Sequence, residues 1–419
     1  MSDSSEHSRG YAHYVLGLCF LLTALNVMDR QVLSVVVEPV KREFSLSDTE
    51  MGLLTGSAFA LSHTLAMIPF ARLADLTSRR NVIVAGLFLW SSLTVLTGSA
   101  RSYWHLFTTR VGVGAFETVG TGPAQALLSD YFPPERRGSA FSIHAAGGTV
   151  GAMAGFALGG ALADTVGWRW TFVAFGLPGI LLSLVFWRTV REPARSDEGA
   201  SLNVAETLRY LVRLPTFRHT VLAASLNSFV NWGMLSWATA AMVRAHDLSM
   251  TEVGRQIAFS MTLPSALGLV AAGFITDRLG QRDPRWYLWW PACSSIAAVP
   301  FVVAFLLSPD PDVAFRWIIP GAFLNTMWVG TYNAVIQGIA KPQMRAMASA
   351  VHVLVSSALI GTGLGPVFIG ALSDRLTVSH GTDALRFALA VAAFGHLWGA
   401  AHSLLAARTF LRDRSAASA

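Results

Sequence analysis

Long apolar runs recur along the whole chain, each about 20 residues long and most of them followed by a short, arginine-rich connection. A run of this length crosses a bilayer as a helix, because lipid offers no hydrogen-bonding partners to an irregular backbone. Hydrophobic residues make up 53% of the chain and charged residues only 13%, whereas soluble proteins contain about 25% charged residues. The chain is therefore predicted to be an all-α membrane protein that crosses the bilayer many times.

Twelve spans fit this pattern, six on each side of a polar segment at residues 188–218. The predicted spans cover residues 11–37, 51–73, 81–99, 103–131, 138–163, 168–187, 220–244, 252–276, 286–307, 313–340, 344–372 and 383–410. We expect two pseudo-symmetric six-helix bundles, at residues 1–187 and 219–419. A cytoplasmic linker at 188–218 joins them and contains a short amphipathic helix on the membrane surface.

Four charged residues lie deep inside the first and fourth spans, away from the span ends: Asp29, Arg30, Arg110 and Glu117. A charge at that depth costs at least a few kcal/mol unless it faces a partner or a cavity. In oppositely directed helices Asp29 lies ~12 Å and Arg110 ~10 Å from the outer end, so the two can face each other. Glu117 shares a helix face with Arg110 about two turns deeper, whereas Arg30 points about 100° away from Asp29.

Proton coupling is the function that this arrangement favours. A carboxylate that faces a guanidinium stays ionised, and one that loses this partner in a low dielectric takes up a proton. Asp29 and Glu117 are the predicted protonation sites, and Arg30 and Arg110 are their charge partners. The alternative is a static ion-pair network that only fixes two helices.

The two halves of the chain repeat each other. Ala71-x-x-x-Asp75 after span 2 recurs as Gly273-x-x-x-Asp277 after span 8, with the two aspartates 202 residues apart. Three further residues recur 208 residues later: Pro134, Arg137 and His144 as Pro342, Arg345 and His352. Parallel six-helix repeats of this kind build transporters that bind substrate between the halves.

Charge asymmetry predicts the orientation. Of the 31 lysines and arginines, 20 are assigned to the amino terminus, the even-numbered loops and the carboxyl terminus, 9 to the odd-numbered loops, and Arg30 and Arg110 to the helices. The side richer in Lys and Arg faces the cytoplasm. We therefore expect both termini to be cytoplasmic and the protein to be a multi-pass component of a bacterial inner membrane.

Residues 71–80 and 273–282 resemble the cytoplasmic signature of the major facilitator superfamily, G-x-x-x-D-R-x-G-R-R. The first copy departs from it at Ala71, Leu76 and Ser78. The resemblance implies a cytoplasmic gate, for which the alternative is a solvated loop. In the gate, Asp75 would cap the helix of span 11 near Ala346. The implied gate residues are Asp75, Arg79, Arg80, Asp277, Arg278 and Arg282.

Within that superfamily the chain is most similar to the Spinster family. The similarity lies in N-V-M-D-R-Q-V-L-S at residues 26–34, F-S-L-S-D-T-E-M-G-L-L at 44–54, Glu117, and G-L-G-P-V-F-I-G-A-L-S-D at 363–374. That family is associated with sphingolipid and lysophospholipid movement, coupled to protons in its bacterial members. The anion-cation symporter family also has an aspartate-arginine pair in its first helix and is the second resemblance.

Polar and aromatic residues inside other spans are candidates for the wall of a substrate cavity, although interhelical packing explains them equally well. They are Asn26, His63, Asn227, Asn231, Trp232, Asn325, Trp328 and Asn333.

These observations together predict a proton-coupled transporter of an amphipathic, lipid-like or drug-like molecule that works by rocker-switch alternating access. The alternatives are an organic-anion and proton symporter, and a receptor or scaffold that does not transport. An enzyme is not expected, since no nucleophile-base pair, metal cluster or phosphate loop is recognisable. We expect no cofactor besides the coupling proton, no metal, no nucleic-acid partner, and a monomer in the lipid bilayer.

Overall fold

The computed structural model describes residues 9–192 and 204–418, and within these ranges the chain is helical with no strand. The helices of the first half are α1 (Arg9–Val35), α2 (Val37–Phe44), α3 (Asp48–Gly52), α4 (Ala58–Leu76), α5 (Arg79–Thr97), α6 (Tyr103–Glu117), α7 (Gly122–Tyr131) and α8 (Pro134–Thr189). Those that follow are α9 (Val204–Arg213), α10 (Pro215–His246), α11 (Met250–Gln256), α12 (Leu263–Gly280), α13 (Trp286–Leu307), α14 (Pro311–Asn325), α15 (Trp328–Ile339), α16 (Arg345–Val353), α17 (Gly365–His380), α18 (Ala384–Ala393) and α19 (Gly395–Ser418).

Seven uninterrupted helical stretches of the described residues are long and apolar enough to cross a membrane. Two of them, Arg136–Thr189 and Pro342–Ala417, contain 54 and 76 residues. Because about 20 residues suffice for one crossing, each of these two stretches provides more than one span. In α8 the division falls at Gly167, whose φ of 81° and ψ of 163° are not helical.

Several predicted spans contain irregular helix. Predicted span 4 is interrupted after Glu117 by a 3₁₀ turn, Thr118–Gly120, and predicted span 10 is interrupted between α14 and α15. Three stretches are π-helical: Leu53–Ser57, Ile257–Thr262 and Leu354–Leu364. Such interruptions in a helix commonly mark functional positions.

The chain forms two compact units. Unit 1 contains residues 1–45, 58–198 and 250–255, of which 9–45, 58–192 and 250–255 are described. In it α1 and α5 pack along α8, and α4 packs on α6. Its core is built on buried apolar side chains such as Leu22, Trp90 and Phe186.

Unit 2 contains residues 46–57, 199–249 and 256–419, of which 46–57, 204–249 and 256–418 are described. In it α10 packs on α19, α13 on α14, and α17 on the short helix α3. Its core includes Phe217, Trp328, Tyr332 and Phe410. Relative to the division at 188–218 predicted from the sequence, each unit thus includes one short segment from the other half of the chain.

The predicted amphipathic helix in the linker is present as α9, and its Leu211 is fully buried. Residues 193–203 of the predicted linker lie outside the described residues.

Candidate functional site

An ion pair between Arg30 and Glu117 links α1 to α6 in unit 1. The Arg30 Nε donates to the Glu117 Oε2 at 2.8 Å, and the Glu117 side chain is 0% exposed whereas that of Arg30 is 20% exposed. The Arg30 guanidinium also lies 4.5 Å from the ring centroid of Phe59, in a cation–π contact. The sequence left the partner of Arg30 open, and the structure places Glu117 there.

A second pair, Asp29 and Arg110, joins the same two helices. The Asp29 Oδ1 lies 3.9 Å from the Arg110 Nη2, and both side chains are 4% exposed. The Thr94 hydroxyl of α5 donates to the Asp29 Oδ2 at 2.7 Å, and the Arg110 guanidinium lies 5.4 Å from the ring centroid of Phe172. Asp29, Arg30, Arg110 and Glu117 therefore form two neighbouring pairs.

Both pairs retain unused hydrogen-bonding capacity. The Glu117 Oε1, the Asp29 Oδ1 and the Arg110 Nε and Nη2 are buried and form no hydrogen bond. A buried polar atom without a partner is costly, and the cost falls when a proton or another polar group reaches it. The carboxylates of Asp29 and Glu117 are therefore suited to exchange hydrogen-bonding partners.

The helix break after Glu117 follows from the local sequence Gly120-Thr121-Gly122-Pro123. Proline lacks an N–H donor and clashes with the carbonyl four residues earlier, so a continuous helix cannot pass through it unchanged. The Asn26 side chain donates from its Nδ2 to the backbone carbonyl of Glu117 at 3.2 Å. Asn26 thus satisfies an oxygen that the break releases.

His63 of α4 lies at the edge of this charged cluster. Its Nδ1 lies 3.1 Å from the Gly114 carbonyl oxygen, and its ring stacks on Phe59 with centroids 5.3 Å apart. The same Phe59 ring contacts Arg30, so His63 and Arg30 share one aromatic neighbour.

The second repeat carries a neutral counterpart in unit 2. Leu25-Asn26-x-x-x-Arg30 recurs 201 residues later as Leu226-Asn227-x-x-x-Asn231, and Asn325 follows Glu117 by 208 residues. The Asn325 Nδ2 donates to the Asn231 Oδ1 at 3.2 Å, and the Asn325 Oδ1 is buried without a partner. Where the first repeat has an ion pair, the second has an amide pair that cannot titrate.

The other cavity candidates of unit 2 are placed differently from one another. Asn227 is fully buried, and its Oδ1 accepts from Ser295 at 3.0 Å and contacts the Nδ1 of His396 at 2.6 Å. This geometry is that of interhelical packing. The Trp232 Nε1 donates to the Ser357 hydroxyl at 3.2 Å.

The last two cavity candidates lie on α15. Trp328 is 5% exposed, and its ring centroid lies 5.9 Å from that of Tyr332. The Asn333 Oδ1 accepts from the Ser349 hydroxyl of α16 at 2.9 Å.

The signature in unit 1 is held by a carboxylate that the sequence patterns did not reveal. Arg79 pairs with Asp130 of α7, and its Nη2 lies 3.8 Å from the largely exposed Asp75. The Arg80 Nη1 donates to the Val190 carbonyl at 3.2 Å. Asp130 lies near the end of predicted span 4, where no charge spacing singled it out.

Glu192 caps the helix that follows this signature, which sequence reasoning also missed. Its carboxylate accepts from the Ser78 hydroxyl at 2.6 Å and from the backbone N–H groups of Arg79 at 2.8 Å and Arg80 at 3.0 Å. An anion at this position satisfies free N–H donors and the positive end of α5.

Glu192→Ala is expected to lower the free energy of unfolding by about 1 kcal/mol, the usual effect of losing a helix cap. The measurement is the unfolding midpoint in nanodiscs. Arg188→Ala removes an exposed charge four residues earlier and serves as the control. An unchanged midpoint for Glu192→Ala would contradict the capping role.

The signature in unit 2 is more open. Asp277 accepts from the Tyr287 hydroxyl at 2.7 Å. The exposed Arg278 and Arg282 line a cleft of about 600 Å³ together with Phe274, Asp277 and Gln281.

Comparisons with known proteins identify the family. Residues 19–359 match the model of the Major Facilitator Superfamily. A relative from Mycolicibacterium smegmatis, described as an MFS-type efflux pump, is 30% identical over 98% of this chain and 96% of its own length. Human spinster homolog 1 is 26% identical over 94% of this chain and 80% of its own length.

A solved structure agrees over nearly the whole chain. It is that of a bacterial homolog to the human lysosomal transporter Spinster, in an inward-facing and unoccupied conformation. Its TM-score is 0.88 at 31% identity, over 97% of this chain and 99% of that one. These matches confirm the predicted fold of twelve spans in two six-helix bundles and a transporter rather than an enzyme. The chain belongs to the Major Facilitator Superfamily and is a transporter of the Spinster type.

Proposed function

We propose that the protein is a proton-coupled transporter of an amphipathic, lipid-like or drug-like molecule, with Glu117 and Asp29 as its protonation sites. The Arg30–Glu117 pair is the observation that carries this proposal, because one fully buried carboxylate faces one partly exposed guanidinium. When Glu117 takes up a proton, its attraction for Arg30 falls and the guanidinium becomes available to another group. Binding of a proton to Glu117 and release of the Arg30 guanidinium from Glu117 then occur together.

Substrate binding is coupled to proton binding through the Arg30–Glu117 pair. An anionic group on the substrate binds Arg30 after Glu117 has been protonated, which links substrate and proton in the same direction. A cationic group instead competes with the proton and with Arg30 for Glu117, which links them in opposite directions. The M. smegmatis relative is described as an efflux pump, which supports transport of a small molecule.

The proposed setting is a bacterial inner membrane with both termini in the cytoplasm, where a monomer works by rocking of the two bundles. The excess of Lys and Arg in the terminal and even-numbered loops supports this orientation. The signature residues around Asp75 and Asp277 would then form the cytoplasmic gate.

Proton flux in proteoliposomes tests the function. A thermal-shift screen of lysolipids, sphingoid bases and aromatic acids first selects a ligand, and a pH dye inside the vesicles then reports protons when that ligand is added. We expect a flux with wild-type protein and none with Glu117→Gln. Entry of protons with an aromatic acid would support the organic-anion symporter, and binding without any flux of ligand or protons would support the receptor.

A further inference from the structure

One seven-residue sequence occurs twice, at corresponding places in the two repeats. L-S-x-T-E-x-G covers residues 46–52 and recurs 202 residues later at 248–254. The residue before each copy, Ser45 and Asp247, has a left-handed backbone with φ of 52°. Each copy begins a short helix, α3 or α11, that continues into a π-helical stretch. We call these two copies the docking segments.

In unit 2 the first docking segment lies on α17. The Asp374 carboxylate accepts from the backbone N–H groups of Asp48 at 2.9 Å and Thr49 at 2.8 Å, and from the Thr49 hydroxyl at 2.6 Å. Gly370 faces the Asp48 carbonyl so closely that a Cβ there would overlap it, and a Cβ at Gly52 would lie 2.6 Å from the Pro366 carbonyl oxygen. The backbones of the two helices are therefore in direct contact.

In unit 1 the second docking segment lies on α8 in the same way. The Asp164 carboxylate accepts from the Thr251 backbone N–H and hydroxyl, both at 2.7 Å. Gly160 faces the Met250 carbonyl, and Gly254 faces the Phe156 carbonyl. The receiving sequence is again a repeat, since G-A-L-x-D covers residues 160–164 and 370–374.

The two contacts differ in one ion pair. Asp48 is 1% exposed and accepts two hydrogen bonds from the guanidinium of Arg244, each of 2.7 Å, and one from the Ser373 hydroxyl at 2.7 Å. In the second copy Met250 and Ala163 take the places of Asp48 and Ser373. The sequence equivalent of Arg244 is Arg42, which precedes it by 202 residues and is exposed. The second copy thus keeps the arginine but lacks both the acid and the hydroxyl that donates to it.

Each docking segment lies next to a boundary between the compact units. The boundary between the compact units passes between residues 57 and 58 and again between 255 and 256, at the end of one π-helical stretch and beside the start of the other. A π-helical stretch has weaker regular hydrogen bonding than an α-helix and commonly marks a functional position. Each docking segment is thus separated from the rest of its helix by a π-helical stretch and a unit boundary.

We propose that the two docking segments are latches that release when the transporter opens at the end where α3 and α11 begin. The Asp48–Arg244 pair makes the latch at the start of α3 the stronger one. A bidentate, buried, charge-assisted pair is costly to break, whereas the second latch has hydrogen bonds and close packing alone. The weaker latch at the start of α11 therefore releases more readily. This inference goes beyond proton coupling and does not depend on it.

Cysteine reactivity tests the two latches in the full chain. Met51→Cys and Val253→Cys place a thiol at equivalent, fully buried positions of the two docking segments. The background carries Cys19→Ala and Cys293→Ala, and the rate of reaction with a water-soluble maleimide in nanodiscs is divided by the rate in the denatured protein. We expect the thiol at position 253 to react roughly tenfold or more faster than that at 51.

Exchange of the acid between the copies gives the decisive comparison. Asp48→Asn is expected to raise the reactivity at position 51 roughly tenfold. Met250→Asp places an acid at the position equivalent to Asp48, and Arg42 occupies the position equivalent to Arg244. This variant is expected to slow the reaction at position 253, and Arg42→Gln added to it restores the fast rate. Equal reactivities at 51 and 253, or no response to Asp48→Asn, would overturn the proposal.

Glycine variants repeat the test without changing charge. Gly370→Ala is expected to raise the reactivity at position 51, since the new methyl group overlaps the Asp48 carbonyl. Gly330→Ala is the matched control, because a Cβ there meets nothing within 4 Å. No change with Gly370→Ala would count against docking as the source of protection. Neither readout involves protons or substrate, so its failure leaves the proposed function untouched.

Discussion

Glu117→Gln is expected to remove the pH dependence of the equilibrium between conformations. In the wild type, the paired form of Arg30 and Glu117 requires an ionised carboxylate, so rising pH favours the conformation with this pair and falling pH favours the one without it. One linked proton shifts such an equilibrium by up to about tenfold per pH unit. Glutamine imitates the protonated state, and the variant should remain in the acid-favoured population at every pH.

Spin-label distances measure this effect. Labels at Arg101 and Thr382, one in each unit, are compared at acid and neutral pH in protein whose two native cysteines have been replaced. Glu43→Gln is the matched control, because Glu43 also accepts from a guanidinium, that of Arg169 at 2.7 Å, but is 42% exposed. That hydrogen bond holds the pKa of Glu43 below its ordinary value, outside the spans. A pH response that survives in Glu117→Gln would remove Glu117 from the coupling.

Asp29→Asn is expected to cost about 3–5 kcal/mol of stability, the second large effect, because it leaves the Arg110 guanidinium buried without its counter-charge. Removal of both charges, in Asp29→Asn with Arg110→Gln, is expected to recover much of this loss. The second repeat already uses a neutral amide pair, Asn231 and Asn325, where the first has Arg30 and Glu117. The Thr94 hydroxyl can bond an amide oxygen as it now bonds the carboxylate.

A double-mutant cycle in mixed micelles with a rising fraction of denaturing detergent measures this coupling. The coupling energy is the difference between the double variant and the sum of the two single variants. Additive losses would mean that Asp29 and Arg110 do not act as a pair. The pH response of Asp29→Asn, followed with the same spin labels, then separates its proton role from its structural role.

The charged cluster was accessible from the sequence because charges inside apolar spans are few. Counting residues along oppositely directed helices was enough to bring Asp29 opposite Arg110 and to place Glu117 on the same helix face. The partner of Arg30 could not be counted in this way. Its long side chain reaches in several directions, and the structure shows it paired with Glu117 and in contact with the ring of Phe59.

Two other features could not be predicted from the sequence, because their partners are distant in the chain and lie in ordinary local sequence. Glu192 caps α5 from a site more than 100 residues away, and nothing in its own surroundings distinguishes it from a loop acid. The spans predicted from the sequence place Asp48 in a loop and Arg244 at a span end. Their sequence signal, the repeated L-S-x-T-E-x-G, becomes meaningful once each copy is seen on a G-A-L-x-D helix.

The sequence alone determined the membrane setting, the twelve spans, the six-plus-six repeat and the family. The length of the apolar runs and the positions of charges along them are properties of the chain itself, and they act directly on its insertion into lipid. Tertiary structure decided which charges pair, where the spans are interrupted, and that the first turns of two helices pack with the other half of the chain. These outcomes depend on which side chains and backbones meet across helices. A one-dimensional pattern fixes the face and depth of a residue but not its neighbour.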